Sequence, residues 1–308
     1  MLRVAIIGTG AICSSHIAAY RQFPETCEII ALCDIYKEKA AGLAKDSGLD
    51  VAIYGHYTDV ANRTDIDLVS ICTPPYTHAE IAIHFLQAGV HVLVEKPMAS
   101  SLEECDAMNK AAAQSGKHLS VVAQNRFYSP MMKVKHVLNQ NLTGPILHTQ
   151  VDSFWWRGHC YYDLWWRGTW EKEGGGVTLN HAVHHIDLFQ WLNGMPQEVT
   201  AVIANTAHDN AEVEDLSIAI CSYENGGLAQ ITSSTVHHGE EQQLIFQGKD
   251  ARVSVPWNVK ASTSLDNGFP EENHDLEREL QRVYDEGPSV IYEAMLGKFT
   301  MSSWRSSK

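Results

Sequence analysis

Short apolar runs alternate with amphipathic stretches along the first 124 residues of the chain. Apolar runs rich in β-branched residues predict strands, and a helical repeat of apolar positions predicts helices. The predicted strands are Arg3–Ile7, Glu28–Cys33, Leu68–Cys72, His91–Val94 and His118–Ala123. The predicted helices are Ala11–Arg21, Lys37–Ser47, His78–Ala88 and Leu102–Ser115. Strands joined through helices are typical of a doubly wound α/β domain, whose parallel sheet binds ligands beyond the carboxyl ends of its strands.

The pattern changes after about Phe127. One helix, Met131–Asn139, is followed by longer alternating runs that predict antiparallel strands joined by hairpins. The runs are His148–Trp156, Glu198–Thr206, Leu216–Tyr223, Leu228–Val236, Gln243–Gln247 and Arg252–Val255. A helix that starts with glycines, Gly174–Leu192, interrupts them. We therefore predict two domains, residues 1–124 and residues 125–308, the second an α+β domain with an open, mainly antiparallel sheet.

Composition narrows the class of protein. The 308 residues include 23 Lys and Arg against 37 Asp and Glu, for a formal net charge of −14, which disfavours nucleic acid and anionic membranes as partners. Seven cysteines, an odd number with no CxxC pair, indicate reduced thiols. The sequence shows no export signal and no apolar run long enough to span a bilayer, so a cytoplasmic location is predicted.

A glycine-rich turn follows the first predicted strand. The turn Gly8-Thr9-Gly10-Ala11-Ile12-Cys13 leads into a helix, where a phosphate can approach bare backbone and the helix N-terminus. We predict that a dinucleotide binds at Gly8, Gly10, Ala11 and Ile12. Asp34, at the end of the second strand, is placed to accept hydrogen bonds from ribose hydroxyls and to repel a 2′-phosphate, which favours NAD over NADP despite the nearby Lys37. The alternative for the glycines is a tight turn that binds no ligand. The alternative for Asp34 is a solvated residue that ends a strand.

Two more segments leave the predicted carboxyl edge of the sheet. They are Cys72-Thr73-Pro74-Pro75-Tyr76-Thr77-His78 and Val94-Glu95-Lys96-Pro97. We predict that Thr73, Pro74, His78, Glu95 and Lys96 line the cofactor site. A lysine at the end of a buried strand can have a lowered pKa and can hydrogen-bond a reacting hydroxyl. The alternative for Lys96 is an ordinary surface lysine after a strand.

The glycine-led helix carries a polar stripe. Asn180, His184 and Asp187 follow the spacing i, i+4 and i+7, which places them on one face. Three histidines within five residues could instead indicate a metal site, but no HExxH spacing is present and we predict no metal. His185, one residue further along, is interpreted as a packed or capping histidine.

Candidate substrate residues lie in two segments and beside His184. Gln124-Asn125-Arg126 leaves the first domain, and residues 155–170 contain five tryptophans, two tyrosines and two arginines. Aromatic faces and arginine forks suit a polyhydroxylated ring. The predicted substrate-binding residues are Arg126, Tyr161, Trp166, Arg167 and His181. The alternative is an aromatic surface that meets another subunit, and an open sheet with such a surface predicts a homodimer or homotetramer.

In combination, these motifs resemble the glucose–fructose oxidoreductase/inositol dehydrogenase (Gfo/Idh/MocA) family. The matching blocks are Gly8-Thr9-Gly10, Thr73-Pro74 with His78, the stretch from Ala88 to Pro97, and Gly174-Gly175-Gly176 with Asn180, His184 and Asp187. The resemblance implies an NAD(P)-dependent oxidoreductase in which Lys96 and His184 flank the reacting carbinol, with His184 accepting the hydroxyl proton. Asn180 stands where the family usually has aspartate, so it can orient a substrate hydroxyl but cannot relay a proton.

The resemblance implies a sugar, inositol or related polyol as substrate, without indicating which one or the direction of the reaction. Two alternatives remain open at this point: a glycosidase that uses NAD for transient oxidation, and a non-catalytic, ligand-sensing regulator. Family members generally continue with further helices, whereas Ile291-Tyr292-Glu293-Ala294 is followed here by a Ser-rich end. The chain is therefore expected to be shortened at its C-terminus.

Overall fold

A computed structural model describes residues 1–289, and the predicted C-terminal shortening lies outside these residues. Contacts between Cα atoms divide the chain into two compact units. The first comprises Met1–Val122 and Asp163–Gly175, and the second comprises Ala123–Tyr162 and the chain from Gly176. A short segment from the second half of the sequence is therefore part of the first unit.

The first unit contains a parallel sheet of six strands. The strands are β1 Leu2–Ile7, β2 Cys27–Cys33, β3 Ala52–Tyr54, β4 Leu68–Ile71, β5 His91–Val94 and β6 Leu119–Val121, in the order β3-β2-β1-β4-β5-β6. This order confirms the predicted doubly wound sheet. The sequence prediction missed β3, which has three residues, all of them only partly buried.

Ten α-helices are found between residues 1 and 289. They are α1 Cys13–Tyr20, α2 Lys37–Asp46, α3 Tyr57–Ala61, α4 His78–Gln87, α5 Leu102–Ser115, α6 Ser129–Asn139, α7 Trp170–Glu173, α8 Val177–Asn180, α9 Val183–Asn193 and α10 His274–Glu286. The predicted helix Gly174–Leu192 is thus two helices, α8 and α9, separated by a turn. The prediction also lacked α10, which begins after Asn273, whose Oδ1 accepts a hydrogen bond from Leu276 N at 3.0 Å.

Alternating residues of β1 build two cores in the first unit. Val4 and Ile6 pack with residues of α1 and α2 on one face of the sheet. Ala5 and Ile7 pack with residues of α4 and α5, including the fully buried Phe85, on the other face. Because successive side chains of a strand point to opposite faces, a continuous apolar run such as β1 requires helices on both sides.

The second unit contains a sheet of eight strands. The strands are β7 Ile146–Phe154, β8 Glu198–Ala204, β9 Leu216–Ser222, β10 Leu228–Ser234, β11 Gln242–Gly248, β12 Ala251–Val255, β13 Asn258–Ser264 and β14 Pro270–Glu272, in the order β14-β13-β12-β11-β7-β10-β9-β8. β7 and β10 pair in parallel and the other named pairs are antiparallel, which confirms the predicted mainly antiparallel sheet. Helices α6, α9 and α10 contribute Val134, Leu188 and Leu280 to its core.

Candidate active site

The glycine-rich turn connects β1 to α1. Gly8 has a φ of +94°, and a Cβ there would lie 2.7 Å from the carbonyl carbon of Cys72, so only glycine allows the turn to approach the end of β4 this closely. A Cβ at Gly10 would meet nothing within 4 Å, and Ala11 and Ile12 are exposed. The turn thus presents open backbone beside a helix N-terminus, which fits a dinucleotide diphosphate.

Cys13 occupies the third glycine position of the fingerprint. Its side chain is fully buried in the core between β1 and α1. Burial, with the charge of Asp34 as a smaller cause, raises the pKa of its thiol to about 12, so the group is uncharged at neutral pH. A small apolar residue is what close packing of the helix on the strand requires here.

Three hydrogen bonds hold the carboxylate of Asp34, which follows β2. Oδ2 accepts from Thr9 N at 2.8 Å and Thr9 Oγ1 at 2.7 Å, and Oδ1 accepts from Tyr36 N at 2.9 Å. A carboxylate offers about four acceptor positions, so one on Oδ1 remains for a further donor. Ile35 and Tyr36, which the sequence prediction did not include, are exposed beside it, at 74% and 63%.

His78 joins the two predicted cofactor segments. Its Nε2 lies 2.8 Å from the carbonyl oxygen of Thr73 and its Nδ1 lies 2.9 Å from that of Pro97. The ring is almost completely buried, and burial lowers its pKa while these carbonyl contacts oppose the shift. His78 therefore fixes the segments after β4 and β5 to each other.

Lys96 is the second residue after β5, on the sheet edge that carries the glycine turn. Its side chain is largely enclosed, and this burial lowers its pKa. The carboxylate of Glu95 opposes that shift, the guanidinium of Arg167 adds to it, and the carboxylate of Glu173 opposes it. Lys96 is thus a partly desolvated ammonium among charges of both signs, the environment expected of an acid–base group.

The segment Asp163–Gly175 brings aromatic and charged groups to the first unit. The ring centroid of Trp165 lies 6.1 Å from that of Tyr76, and Lys172 Nζ lies 5.1 Å from the Tyr76 ring. Glu173 is buried, and its Oε2 accepts a hydrogen bond from Gly168 N at 2.5 Å. Of the predicted substrate residues, Arg167 lies close enough to Lys96 to affect its pKa, and its guanidinium carbon lies 4.5 Å from the ring centroid of Trp166.

The remaining predicted substrate residues lie in the second unit. His181 is buried, with ring centroids 5.4 Å from Tyr161 and 6.0 Å from Trp155. Arg126 donates two hydrogen bonds to Asp187, from Nε at 2.8 Å and from Nη2 at 2.5 Å. A bidentate pair of this kind holds both side chains firmly. Most of the Arg126 fork is therefore already engaged within the protein.

His184 and His185 have different surroundings on α9. His184 is partly exposed, whereas His185 is buried with its Nδ1 2.8 Å from Ser153 Oγ. Burial lowers the pKa of His185 to about 4, so this ring is neutral at physiological pH. Asn180 ends α8, and its side-chain Nδ2 lies 3.4 Å from the carbonyl oxygen of Gly176.

Glu214, which the sequence prediction missed, fixes the start of α8. Its Oε2 accepts from Gly176 N at 2.8 Å, its Oε1 accepts from Thr178 N at 3.1 Å, and its carbonyl oxygen accepts from Val177 N at 3.0 Å. A carboxylate on the free N–H groups of a helix start satisfies donors that have no partner within the helix. The acidic pair Glu214-Asp215 before β9 was the available sequence signal.

Gly176 cannot carry a side chain in this arrangement. A Cβ would lie 1.9 Å from the carbonyl oxygen of Glu214, so we expect Gly176→Ala to lower the free energy of unfolding by about 3 kcal/mol. Gly42→Ala is the matched control: it lies inside α2 with nothing within 4 Å of its Cβ, and we expect a gain of about 0.4 to 1 kcal/mol. Chemical denaturation of both variants tests the pair, and equal stabilities would contradict the close approach.

Residues 1–289 contain neither a metal-binding cluster nor a membrane-spanning helix. No group of three or more His, Cys, Asp or Glu side chains in this range is arranged to hold a metal ion. None of the helices described is both long and apolar enough to cross a membrane.

Comparison with known proteins identifies both halves of the chain. Residues 2–123 match the model of an oxidoreductase family with an NAD-binding Rossmann fold, and residues 131–254 match the GFO/IDH/MocA C-terminal domain. The WlbA dehydrogenase of Bordetella pertussis, solved with NADH and UDP-GlcNAcA, is similar with a TM-score of 0.78 and 31% identity, covering 82% of this chain and 78% of that one.

Two curated relatives are similar over most of the chain. The 2,7-anhydro-N-acetylneuraminate hydratase of Mediterraneibacter gnavus is 26% identical over 292 residues, 94% of this chain and 75% of the relative. The levoglucosan dehydrogenase of Pseudarthrobacter phenanthrenivorans is 25% identical over 326 residues, 94% of this chain and 82% of the relative. With its NAD-binding Rossmann unit and its matching C-terminal domain, the chain belongs to the Gfo/Idh/MocA family of NAD-dependent oxidoreductases.

Proposed function

We propose that this protein is a dehydrogenase that transfers a hydride between NAD and a hydroxyl-bearing carbon of a sugar, inositol or related polyol, with Lys96 and His184 as the acid–base pair. The observation that carries the proposal is the common edge of β1, β4 and β5, which are neighbours in the sheet. The glycine turn, the Thr73-Pro74 segment and the enclosed Lys96 all follow the carboxyl ends of these strands, where doubly wound folds bind ligands.

The first unit offers a place for each part of NAD. We propose that the diphosphate lies on the turn from Gly8 to Ile12 and that the adenosine ribose donates to the open acceptor position on Asp34. The exposed apolar side chains of Ile35 and Tyr36 offer a surface for the adenine. Thr73, Pro74 and Glu95 belong to the segments that follow the next two strands, on the side of the nicotinamide.

The acid–base chemistry is assigned to two side chains. NAD supplies the hydride acceptor when it is bound. As the C–H bond breaks and the hydride leaves, the hydroxyl proton passes to the neutral imidazole of His184, and the carbinol becomes a carbonyl. The Lys96 ammonium donates a hydrogen bond to the same oxygen, and the Asn180 amide orients a substrate hydroxyl.

Substrate recognition is assigned to residues of both units. We propose that Trp166 and Arg167 of the first unit and Tyr161 and His181 of the second contact the sugar, because aromatic faces and a guanidinium fork suit polyhydroxylated rings. Arg126 contributes through the part of its fork that Asp187 leaves open. Residues 125–308 would thus supply most of the substrate contacts and the contacts between subunits. The relatives crystallised with UDP-GlcNAcA or named for levoglucosan support a sugar as the substrate class.

The proposal is tested with the purified protein and a panel of inositols, aldoses, sugar acids and amino sugars, each with NAD and with NADP. We expect at least one compound to produce reduced nicotinamide, detected by absorbance, with NAD preferred. Binding of NADH without turnover of any compound would instead favour a ligand-sensing regulator.

A redox-neutral enzyme is a second candidate, because one relative is named as a hydratase. In this case the sugar would be oxidised transiently and the hydride returned within one turnover, as in an NAD-dependent glycosidase. The same panel distinguishes the two functions: consumption of a sugar or glycoside without accumulation of NADH supports the second candidate.

Asp34 is expected to set the cofactor preference. Asp34→Ser removes the ribose acceptor and the negative charge. We therefore expect NAD to bind roughly tenfold more weakly and the preference for NAD over NADP to become smaller. Asp50→Ser, an exposed aspartate of the same unit, makes the same charge change and should leave the ratio of the two dissociation constants unchanged. Stronger binding of NADP than of NAD by the parent protein would show that the role of Asp34 is misassigned.

The exposed face of β8 and β9 favours a homo-oligomer. Val202, Ile218 and Ile220 are 72%, 49% and 57% exposed, and adjacent apolar side chains of this kind usually meet another surface. We expect a homodimer or homotetramer in sedimentation at micromolar concentration, and smaller species for Ile220→Lys. Phe23→Lys, which makes the same kind of change at an exposed apolar residue of the first unit, is the control and should leave the oligomer unchanged. A monomeric parent protein would refute this expectation.

A further inference from the structure

A buried pair of titratable side chains lies next to Lys96 and has no part in the proposed reaction. His16 of α1 and Glu95, the residue after β5, are 8% and 7% exposed, and His16 Nε2 lies 2.9 Å from Glu95 Oε1. The other carboxylate oxygen, Oε2, accepts a hydrogen bond from Lys96 N at 3.2 Å. Glu95 thus contacts both the helix that follows the glycine turn and the backbone of the proposed catalytic lysine.

The backbone around this pair is fixed on both sides. Glu95 N donates to the carbonyl oxygen of Ile71 at 3.0 Å, which fastens the end of β5 to β4. His16 lies in α1 one turn after Cys13, which packs in the core. The carboxylate therefore has little freedom to move while the His16 contact holds. A buried carboxylate is costly without donors, and His16 supplies one as an N–H.

The charge of this carboxylate bears directly on Lys96. Burial lowers the pKa of Lys96, and Glu95 is the largest of the charges that oppose this effect. The other charged groups near Lys96 are Arg167 and Glu173, and the other titratable groups close to Glu95 are Cys72 and His78. Among these groups, within the part of the chain that the structure describes, Glu95 is the one that contacts both the His16 side chain and the Lys96 backbone.

We propose that His16 and Glu95 are positioning residues for Lys96: His16 holds the Glu95 carboxylate in place, and Glu95 fixes the Lys96 backbone and keeps a negative charge beside it. This inference rests on the proposed role of Lys96. It links the helix of the dinucleotide turn to the acid–base group, so that the same turn that receives the cofactor also supports the lysine. Glu95 thereby acts through Lys96.

The titration of Lys96 can be measured without a substrate. The apoprotein is acetylated with a trace of acetic anhydride at a series of pH values, and mass spectrometry compares the labelling of Lys96 with that of the exposed Lys110. Four variants are compared with the parent: Glu95→Gln, His16→Leu, His16→Gln and, as a control on an exposed carboxylate, Glu103→Gln. Turnover is followed with the most active sugar of the panel.

We expect Glu95→Gln to shift the titration of Lys96 to lower pH, because the opposing negative charge is lost, and to reduce kcat on the order of tenfold to a hundredfold. His16→Leu should shift it in the same direction, since the Glu95 carboxylate is no longer held beside Lys96. His16→Gln retains an N–H donor and should restore the parent titration. Glu103→Gln should change nothing.

An unchanged Lys96 titration and unchanged turnover in Glu95→Gln would overturn the inference. If His16→Leu does not fold, Glu95→Gln still decides the question. The proposed function is judged separately, by Lys96→Met: if this variant loses turnover while Glu95→Gln behaves as the parent, the function stands and the inference fails. If Lys96→Met retains full turnover, the proposed function itself fails.

Discussion

Lys96→Met is expected to lower the rate of sugar oxidation by on the order of 10² to 10⁴ while leaving the affinity for NADH within a few-fold of the parent value. Positioned acid–base groups typically contribute a factor of this size. Methionine keeps the length and apolar stem of the side chain but removes the ammonium that would hydrogen-bond the reacting oxygen. Measurement of kcat/KM and a fluorescence titration with NADH separate the two effects.

The pH dependence gives a second measure of Lys96. Burial lowers its pKa, and the charge-assisted hydrogen bond to the substrate oxygen requires the ammonium, so activity should fall as pH rises through a value below that of an exposed lysine, about 10.4. Lys110→Met removes an exposed lysine of α5 and should leave both the rate and the profile unchanged. Equal losses in the two variants would show that the effect is one of overall charge.

His184→Ala is the other variant with a large expected effect. Loss of the proton acceptor should lower turnover by on the order of 10² to 10⁴ with little change in thermal stability, because the side chain is partly exposed. NADH binding should persist, since the dinucleotide turn belongs to the first unit. Steady-state kinetics and thermal unfolding are measured on the same preparation.

His185→Ala is the matched control on the same helix. Its ring is buried against Ser153, so the substitution leaves a cavity and a hydroxyl without its partner, and we expect a lower melting temperature. Turnover per folded molecule should remain close to that of the parent. Loss of turnover in His185→Ala combined with normal turnover in His184→Ala would contradict the assignment of the catalytic histidine.

Much of the fold could be predicted because the signals are local. The apolar runs of β1, β2, β4 and β5 and the amphipathic helices between them indicated a doubly wound sheet, and the structure confirms it. The glycine at position 8 was predicted from its place between a strand and a helix, and its positive φ shows the steric reason. β3, β13 and β14 were missed because they are short or carry mostly polar and exposed residues.

The contacts that support the candidate site could not be predicted in the same way. The pairs His16 with Glu95, Arg126 with Asp187 and Gly176 with Glu214 join residues 79, 61 and 38 positions apart. No local pattern specifies such partners, since they depend on how the strands are ordered. The return of residues 163–175 to the first unit is also a tertiary feature, and it adds Trp165, Trp166 and Trp170 to the unit that contains Lys96.

Transfer of deuterium measures most directly whether a hydride passes from a sugar carbon to NAD. The most active sugar of the panel is prepared with deuterium on the reacting carbon, incubated with NAD and the protein, and the nicotinamide is analysed by mass spectrometry. We expect one deuterium in the reduced nicotinamide for each carbonyl product formed, and almost none with His184→Ala in the same time. Consumption of the sugar with deuterium released to water, or retained in the product without any reduced nicotinamide, would contradict the proposed dehydrogenase.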